Sequence, residues 1–367
     1  MSNNSILFTP FESDKLTLKN RIVMAPMTRG FSPKNVPNQK VVDYYQRRAE
    51  GNIGLIITEG TCINHKAANG YPNVPFIYGE QALAGWKKVV NGVHQAGGKI
   101  APQLWHVGGI RKPGTEPDET VPGYSPSGMA MPNKVTGHAM TQADIDDVVA
   151  AFAQAALDAK NIGFDAIELH GAHGYLIDQF FWQGTNIRDD KYGGSMENRS
   201  RFAVEVITAV RQAVGKDFPI IFRFSQWKQQ DYKARLANSP EELAQFLKPL
   251  VDAGVDIFHC STRRFWQAEF EGSELNLAGW TQKLTQKPAI TVGSVGLDND
   301  FMDGTMTFAE AKPASLDNLI TRMEHGEFDL VAVGRALIAN PDWANKVKEG
   351  KISELKPYLK ENLTQLM

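Results

Sequence analysis

His170, His173 and Tyr175 lie close together in the run HGAHGYLIDQF at residues 170–180. Side chains of these types at this spacing can do two kinds of chemistry. Both imidazoles can donate hydrogen bonds to a substrate oxygen that gains negative charge, and the phenol can deliver a proton as a general acid. Histidines three apart can instead ligate a metal, although a third ligand is not evident nearby. Glu168 shares a face with His170 only if a strand continues through both. A buried structural tyrosine is the plainer reading of Tyr175.

A second set of residues suits a phosphorylated cofactor. Gly293-Ser294 and Gly334-Arg335 each follow a short apolar run. Glycine there lets backbone N–H groups approach an anion, and a guanidinium offers a planar cation for phosphate. Arg223 ends another run and can neutralise charge on a reduced ring system. Gln103 both donates and accepts, as the edge of a pyrimidine-like ring requires. Singly, each has an ordinary explanation: a turn glycine, a salt-bridge arginine, a polar rim residue. Their joint placement at the ends of apolar runs carries the argument.

Those runs are the elements that must position the chemistry. They recur at 21–24, 55–59, 100–104, 165–169, 220–224, 256–260, 289–292 and 330–333, with helical stretches between them. Near-continuous apolar content marks parallel strands buried on both faces. Eight such units predict an α/β fold, a closed (β/α)8 TIM barrel. Barrel chemistry sits at the C-terminal strand ends. Here these ends carry Ala25, Pro26, Met27 and Thr28, then Gly60, Gln103, residues 170–175, Arg223, and the two glycine turns. Thr141-Gln-Ala-Asp144 reads as a cap that opens a helix, Ser239-Pro240-Glu241-Glu242 as a capping box, and Gly163 as a helix stop. Residues 1–20 are expected to form a lid over the barrel bottom. Residues 105–140, rich in Gly, Pro and Ser, predict a capping insertion after strand three. The chain, 1–367, reads as a single domain.

Composition narrows the function classes. At 42% hydrophobic and 22% charged, the chain is an ordinary globular one. A net charge of −2 leaves no electrostatic footprint for nucleic acid or an anionic membrane. Two cysteines, Cys62 and Cys260, argue against a disulfide framework and against an iron–sulfur cluster. No apolar run approaches the roughly 20 residues of a membrane span. The first residues carry neither a basic n-region nor an apolar h-region, so the cytoplasm is the expected location.

Three stretches carry a resemblance: LKNRIVMAPMT at 18–28, HGAHGYLIDQF at 170–180 continuing through NIRDDKYGGSMENR at 186–199, and VGRALIANP at 333–341. From about residue 6 to residue 343 the chain resembles the old yellow enzyme family. That resemblance implies an FMN-dependent ene-reductase, which uses NADH or NADPH to reduce the C=C bond of α,β-unsaturated carbonyl or nitro compounds by ping-pong hydride transfer. It implies that Ala25, Pro26, Met27 and Thr28 lie along the flavin ring and that Gly60 and Gln103 touch its edge. Arg223 would stabilise the reduced ring, while Gly293, Ser294, Gly334 and Arg335 hold the phosphate. His170 and His173 would bind the substrate oxygen, and Tyr175 would protonate the α-carbon. Thr28 and Trp105 are like the yeast and plant branch, whereas the paired histidines are like the bacterial one. The loops at 225–232 and 261–266 match neither branch; Trp227, Phe265 and Trp266 are expected at the substrate entrance, with Arg263 and Arg264 facing either a nicotinamide nucleotide phosphate or solvent. Residues from 344 onward read as plain helix with no aromatic finger. Partners are small-molecule electrophilic alkenes, and a homo-oligomer stays open. The alternatives are an oxidative demethylase or amine dehydrogenase on the same barrel, a metal-dependent barrel hydrolase, and a non-catalytic flavin-binding protein.

Overall fold

A computed structural model describes residues 4–300 and 309–367. Eight parallel strands close into a barrel in chain order: Ile22–Met24, Leu55–Cys62, Lys99–Trp105, Ile167–His173, Ile220–Lys228, Ile257–Ser261, Ala289–Val292 and Leu330–Val333. Helices follow between them, so both strand faces are covered and the apolar runs are buried. All eight expected strands are present. The second, fourth and fifth run past their expected ends, because parallel partners carry them on: His173 pairs with Lys228 and Cys62 with Trp105.

Alternation along the strands layers the barrel interior. The lowest layers are apolar and include Leu55, Ala101, Ile221, Ile257 and Leu330. Phe11, Leu16 and Leu18, from a hairpin pairing Phe11–Glu12 with Thr17–Leu18, pack into the same cluster. This hairpin forms the expected lid; residues 1–3 lie outside the described residues. Two residues further up strands three to six, polar side chains replace apolar ones: Gln103, Glu168, Arg223 and His259, all buried, whereas the other four strands stay apolar with Ala25, Ile57, Val292 and Ala332.

The expected caps are built as follows. Thr141 and Asp144 form a reciprocal capping box at the helix Gln142–Ile162, which Gly163 ends at φ +100. Ser239 caps the helix Pro240–Ala253, but the Glu242 carboxylate reaches back to the N–H of Asn238, not of Ser239, so only half of that box forms. The 105–140 insertion carries four short strands, paired Tyr124–Ser125 with His138–Ala139 and Met129–Met131 with Lys134–Val135. Among the described residues no helix is long and apolar enough to cross a membrane.

Candidate active site

A cavity of about 470 Å³ opens at the C-terminal mouth of the barrel. Ala25, Pro26, Met27 and Thr28 line it from strand one, Arg223 from strand five, and His173 and Tyr175 from the end of strand four. Gly293, Ser294, Gly334 and Arg335 line it from strands seven and eight. Gly60, Gln103 and His170 stand behind this wall. A Cβ at Gly60 would meet the Trp105 ring at 2.3 Å, so the glycine makes room for the tryptophan.

The fourth strand delivers its side chains through a bulge. Between Gly171 and His173 the register with strand five shifts, and a Cβ at Gly171 would lie 2.4 Å from Phe222. His173 then takes φ +65, left-handed for a residue with a Cβ. This turn packs the His173 ring 5.1 Å from His170 and the His170 ring 4.9 Å from Tyr175, both edge to face. Ser261 Oγ sits 2.7 Å from His173 Nε2 and accepts from Arg223 at 3.3 Å. The Ala172 N–H donates to His170 Nδ1 at 3.4 Å, which leaves the His170 proton on Nε2.

Electrostatics keep these groups in defined protonation states. Burial, reinforced by the Arg223 guanidinium, holds both His170 and His173 well below the usual histidine range. They are therefore neutral N–H donors at pH 7. Burial also pushes the Tyr175 phenol well above its ordinary value, so it keeps its proton. Below them, Glu168 accepts from Gln103 Nε2 at 2.8 Å and pairs with His259 Nδ1 at 2.6 Å. His259 escaped sequence reasoning, and Glu168 enters it only beside His170 as a metal ligand; the strand does continue through both. The signal available was alternation, since Ala166, Glu168 and His170 all share one strand face.

Glu59 ties strand two to the segment that follows strand one. Its carboxylate accepts from the backbone N–H of Arg29 and of Gly30, each at 2.9 Å. Burial pushes this carboxyl up to about 7, against the pull of those two donors. The folded state thus holds the proton more tightly than the unfolded chain. The associated stability is full below about 4.5 and is lost as pH rises through about 7. Glu59→Gln is expected to flatten this dependence. Thermal midpoints of both proteins on either side of neutrality check it, and parallel slopes would mean that Glu59 is already ionised in the folded acid form.

Several expectations need correction. Arg335 does not present a free fork, because its Nη atoms donate to the carbonyls of Asn299, Asp300 and Ala309. Its charge borders the cavity, while its hydrogen bonds shape the loop. The Ser294 hydroxyl lies 3.1 Å from Arg263 O and 3.0 Å from Asn299 O, so this loop offers an anion its backbone. Trp227 lines the cavity, but Phe265 is buried in the core and Trp266 is at the surface. Arg263 and Arg264 share one oxygen of Asp300, at 2.8 and 2.9 Å. The C-terminal part is not plain helix. After a helix at Trp343–Lys348 it returns to the barrel mouth, where Tyr358 and Leu363 line the cavity. The Arg29 guanidinium holds this return through the carbonyls of Asn362 and Gln365.

Two observations bear on the cofactor and metal readings. Arg223 Nε is buried at the cavity with no hydrogen-bond partner. An unpartnered N–H on a buried cation fits a flavin ring edge, which carries carbonyls and gains negative charge on reduction. Among the described residues, no group of three or more His, Cys, Asp or Glu could hold a metal ion, so the hydrolase alternative has no ligand set there.

Relatives share this chain across nearly its full length. It is 35% identical over 361 residues to a flavin oxidoreductase of Emericella nidulans, covering 94% of this chain and 90% of that protein. It is 33% identical over 342 residues to 12-oxophytodienoate reductase 1 of Oryza sativa subsp. japonica, covering 92% and 84%. An NADH oxidase of Thermoanaerobacter brockii is 35% identical over 97% of this chain, which spans only 53% of that protein. Among solved structures, morphinone reductase in complex with tetrahydroNAD aligns with a TM-score of 0.81 at 30% identity, covering 97% of this chain and 93% of that one. The sequence model of the NADH:flavin oxidoreductase / NADH oxidase family matches residues 6–354, and the chain belongs to that family of FMN-dependent, nicotinamide-using oxidoreductases.

Proposed function

We propose that the whole barrel is one FMN-binding domain that reduces electrophilic C=C bonds at the expense of NADH or NADPH. The observation that carries this reading is the pair of neutral His173 and protonated Tyr175 lining the cavity, with neutral His170 packed directly against both. Two relatives point the same way, being reductases of 12-oxophytodienoate and morphinone by name. Bound FMN supplies the hydride chemistry. Ala25, Pro26, Met27 and Thr28 would flank its ring, Arg223 would meet its charge, and Gly293, Gly334 and Arg335 would surround its phosphate. Ser294 would add its backbone to the phosphate side of the cavity, while Gly60 and Gln103 act from behind the wall.

The chain's own residues do the rest. His170 and His173 hold the substrate carbonyl or nitro oxygen and stabilise the charge that develops on it. Tyr175 gives its proton to the carbon next to that group. One cavity must take the nicotinamide and the alkene in turn, which makes the kinetics ping-pong. Both cysteines are buried free thiols, in keeping with a reducing compartment such as the cytoplasm.

The test is anaerobic. The FMN-loaded protein is bleached with NADPH, 2-cyclohexenone is added, and the visible spectrum is followed. Colour returning at a rate set by enone concentration supports the reading, whereas a flavin that stays bleached assigns another acceptor. His170→Ala is expected to weaken phenol binding and to slow enone reduction by roughly a hundred- to a thousandfold, the worth of one donor at developing charge. Unaltered phenol affinity, read from the perturbed flavin spectrum, would remove the oxyanion role.

A further inference from the structure

Tyr71, in the loop after strand two, has no part in the chemistry described so far. Its hydroxyl lies 3.4 Å from the Tyr175 hydroxyl. That is longer than a relaxed O–H···O bond and within reach of one. The Tyr71 ring stacks on Trp105 at 5.4 Å and 15°, and Tyr175 packs edge-on against the same indole at 4.9 Å. Trp105 is thus a rigid spacer that aims both phenols at one point. Tyr71 is half-buried and reaches the surface, whereas the remaining exposure of Tyr175 faces the cavity that a substrate fills.

We propose that Tyr71 is a second proton donor, which feeds Tyr175 during carbon protonation. This rests on Tyr175 being the donor to substrate. As the Tyr175 O–H bond breaks and a C–H bond forms at the substrate carbon, the Tyr175 oxygen gains negative charge. In a buried site that charge is costly unless a donor meets it. Tyr71 donates to this oxygen and passes its proton across, then recovers one from water at its exposed edge. The hydride comes from the flavin, so the alkene gains one hydride and one proton, and both phenols end neutral.

The experiment uses pre-reduced, FMN-loaded enzyme and follows flavin reoxidation in single turnovers. Tyr71→Phe keeps the ring stack and removes one oxygen. Enone-driven reoxidation is expected to fall roughly ten- to a hundredfold, the worth of one hydrogen bond to a charged group. Reoxidation by ferricyanide, which protonates no carbon, is expected at the parent's rate. Plotted against the deuterium fraction of the solvent, the parent's enone rate is expected to bow, as two protons in flight require, and the variant's to be linear. A variant with the parent's enone rate and a bowed plot would overturn the proposal, as would equal slowing with both acceptors. Enone reduction that survives in Tyr175→Phe would remove the primary donor itself, a separate failure of the underlying assignment.

Discussion

Tyr175→Phe is expected to lower enone turnover by roughly a hundred- to ten-thousandfold, while NADPH still bleaches the flavin at the parent's rate. The reason for the split is local. The phenol lies edge-on against His170 and Trp105, at the end of strand four, and burial keeps it protonated. Phenylalanine preserves these ring contacts and deletes only the proton. The nicotinamide half of the cycle moves no proton to carbon, so it has no use for the hydroxyl. Such a rate loss corresponds to about 3–5 kcal/mol of barrier. Stopped-flow measurement of each half-reaction separates the two. Equal loss in both would mean that the hydroxyl shapes the cavity, and no loss in either would mean that solvent protonates the substrate.

Lys228→Met is expected to destabilise the fold by roughly 3–5 kcal/mol, the cost of leaving a buried carboxylate without its cation. Lys228 and Asp178 are fully buried and meet at 2.5 Å. Burial pushes the Asp178 carboxyl up, and the ammonium pulls it back. Asp178 also accepts the Gly174 N–H at 2.7 Å, in the turn between His173 and Tyr175. The double variant Lys228→Met/Asp178→Leu is expected to regain most of the stability, since apolar replacement of a buried pair is often neutral. It is not expected to regain kcat/KM, because the Gly174 N–H has lost its acceptor. Urea midpoints and enone kinetics on the same samples test both halves. A single variant as stable as the parent would mean that water reaches the pair in solution.

The strain at His173 belongs to the same device. Left-handed backbone at a non-glycine residue persists only where its surroundings over-determine it. Here Ser225 Oγ takes the His173 N–H at 3.0 Å, and the Gln179 and Gln230 amides both donate to Gly174 O. The extension of strand five and the loop after it thereby help to hold the turn from which His173 and Tyr175 project.

The eight strands and their order were legible in the chain itself, because parallel strands buried on both faces leave near-continuous apolar runs. The rim that these strands share was legible for the same reason, although strands two, four and five run past their expected ends. Once a barrel is inferred, its C-terminal rim collects Ala25 to Thr28, Arg223, His173, Tyr175 and the two glycine turns. The pairings across that rim were not legible. Tyr71 meets Tyr175 across 104 residues, Glu168 meets His259 across 91, and Lys228 meets Asp178 across 50. Periodicity and capping are local signals, whereas these contacts arise from barrel closure, register and one bulge. The return of Tyr358 to the cavity escaped for a related reason: it depends on carbonyls held by Arg29, in a segment with no apolar period. Residue type and spacing determined which groups can do chemistry at this barrel's mouth; only the tertiary structure decided which of them touch, how each is charged, and which instead support their neighbours.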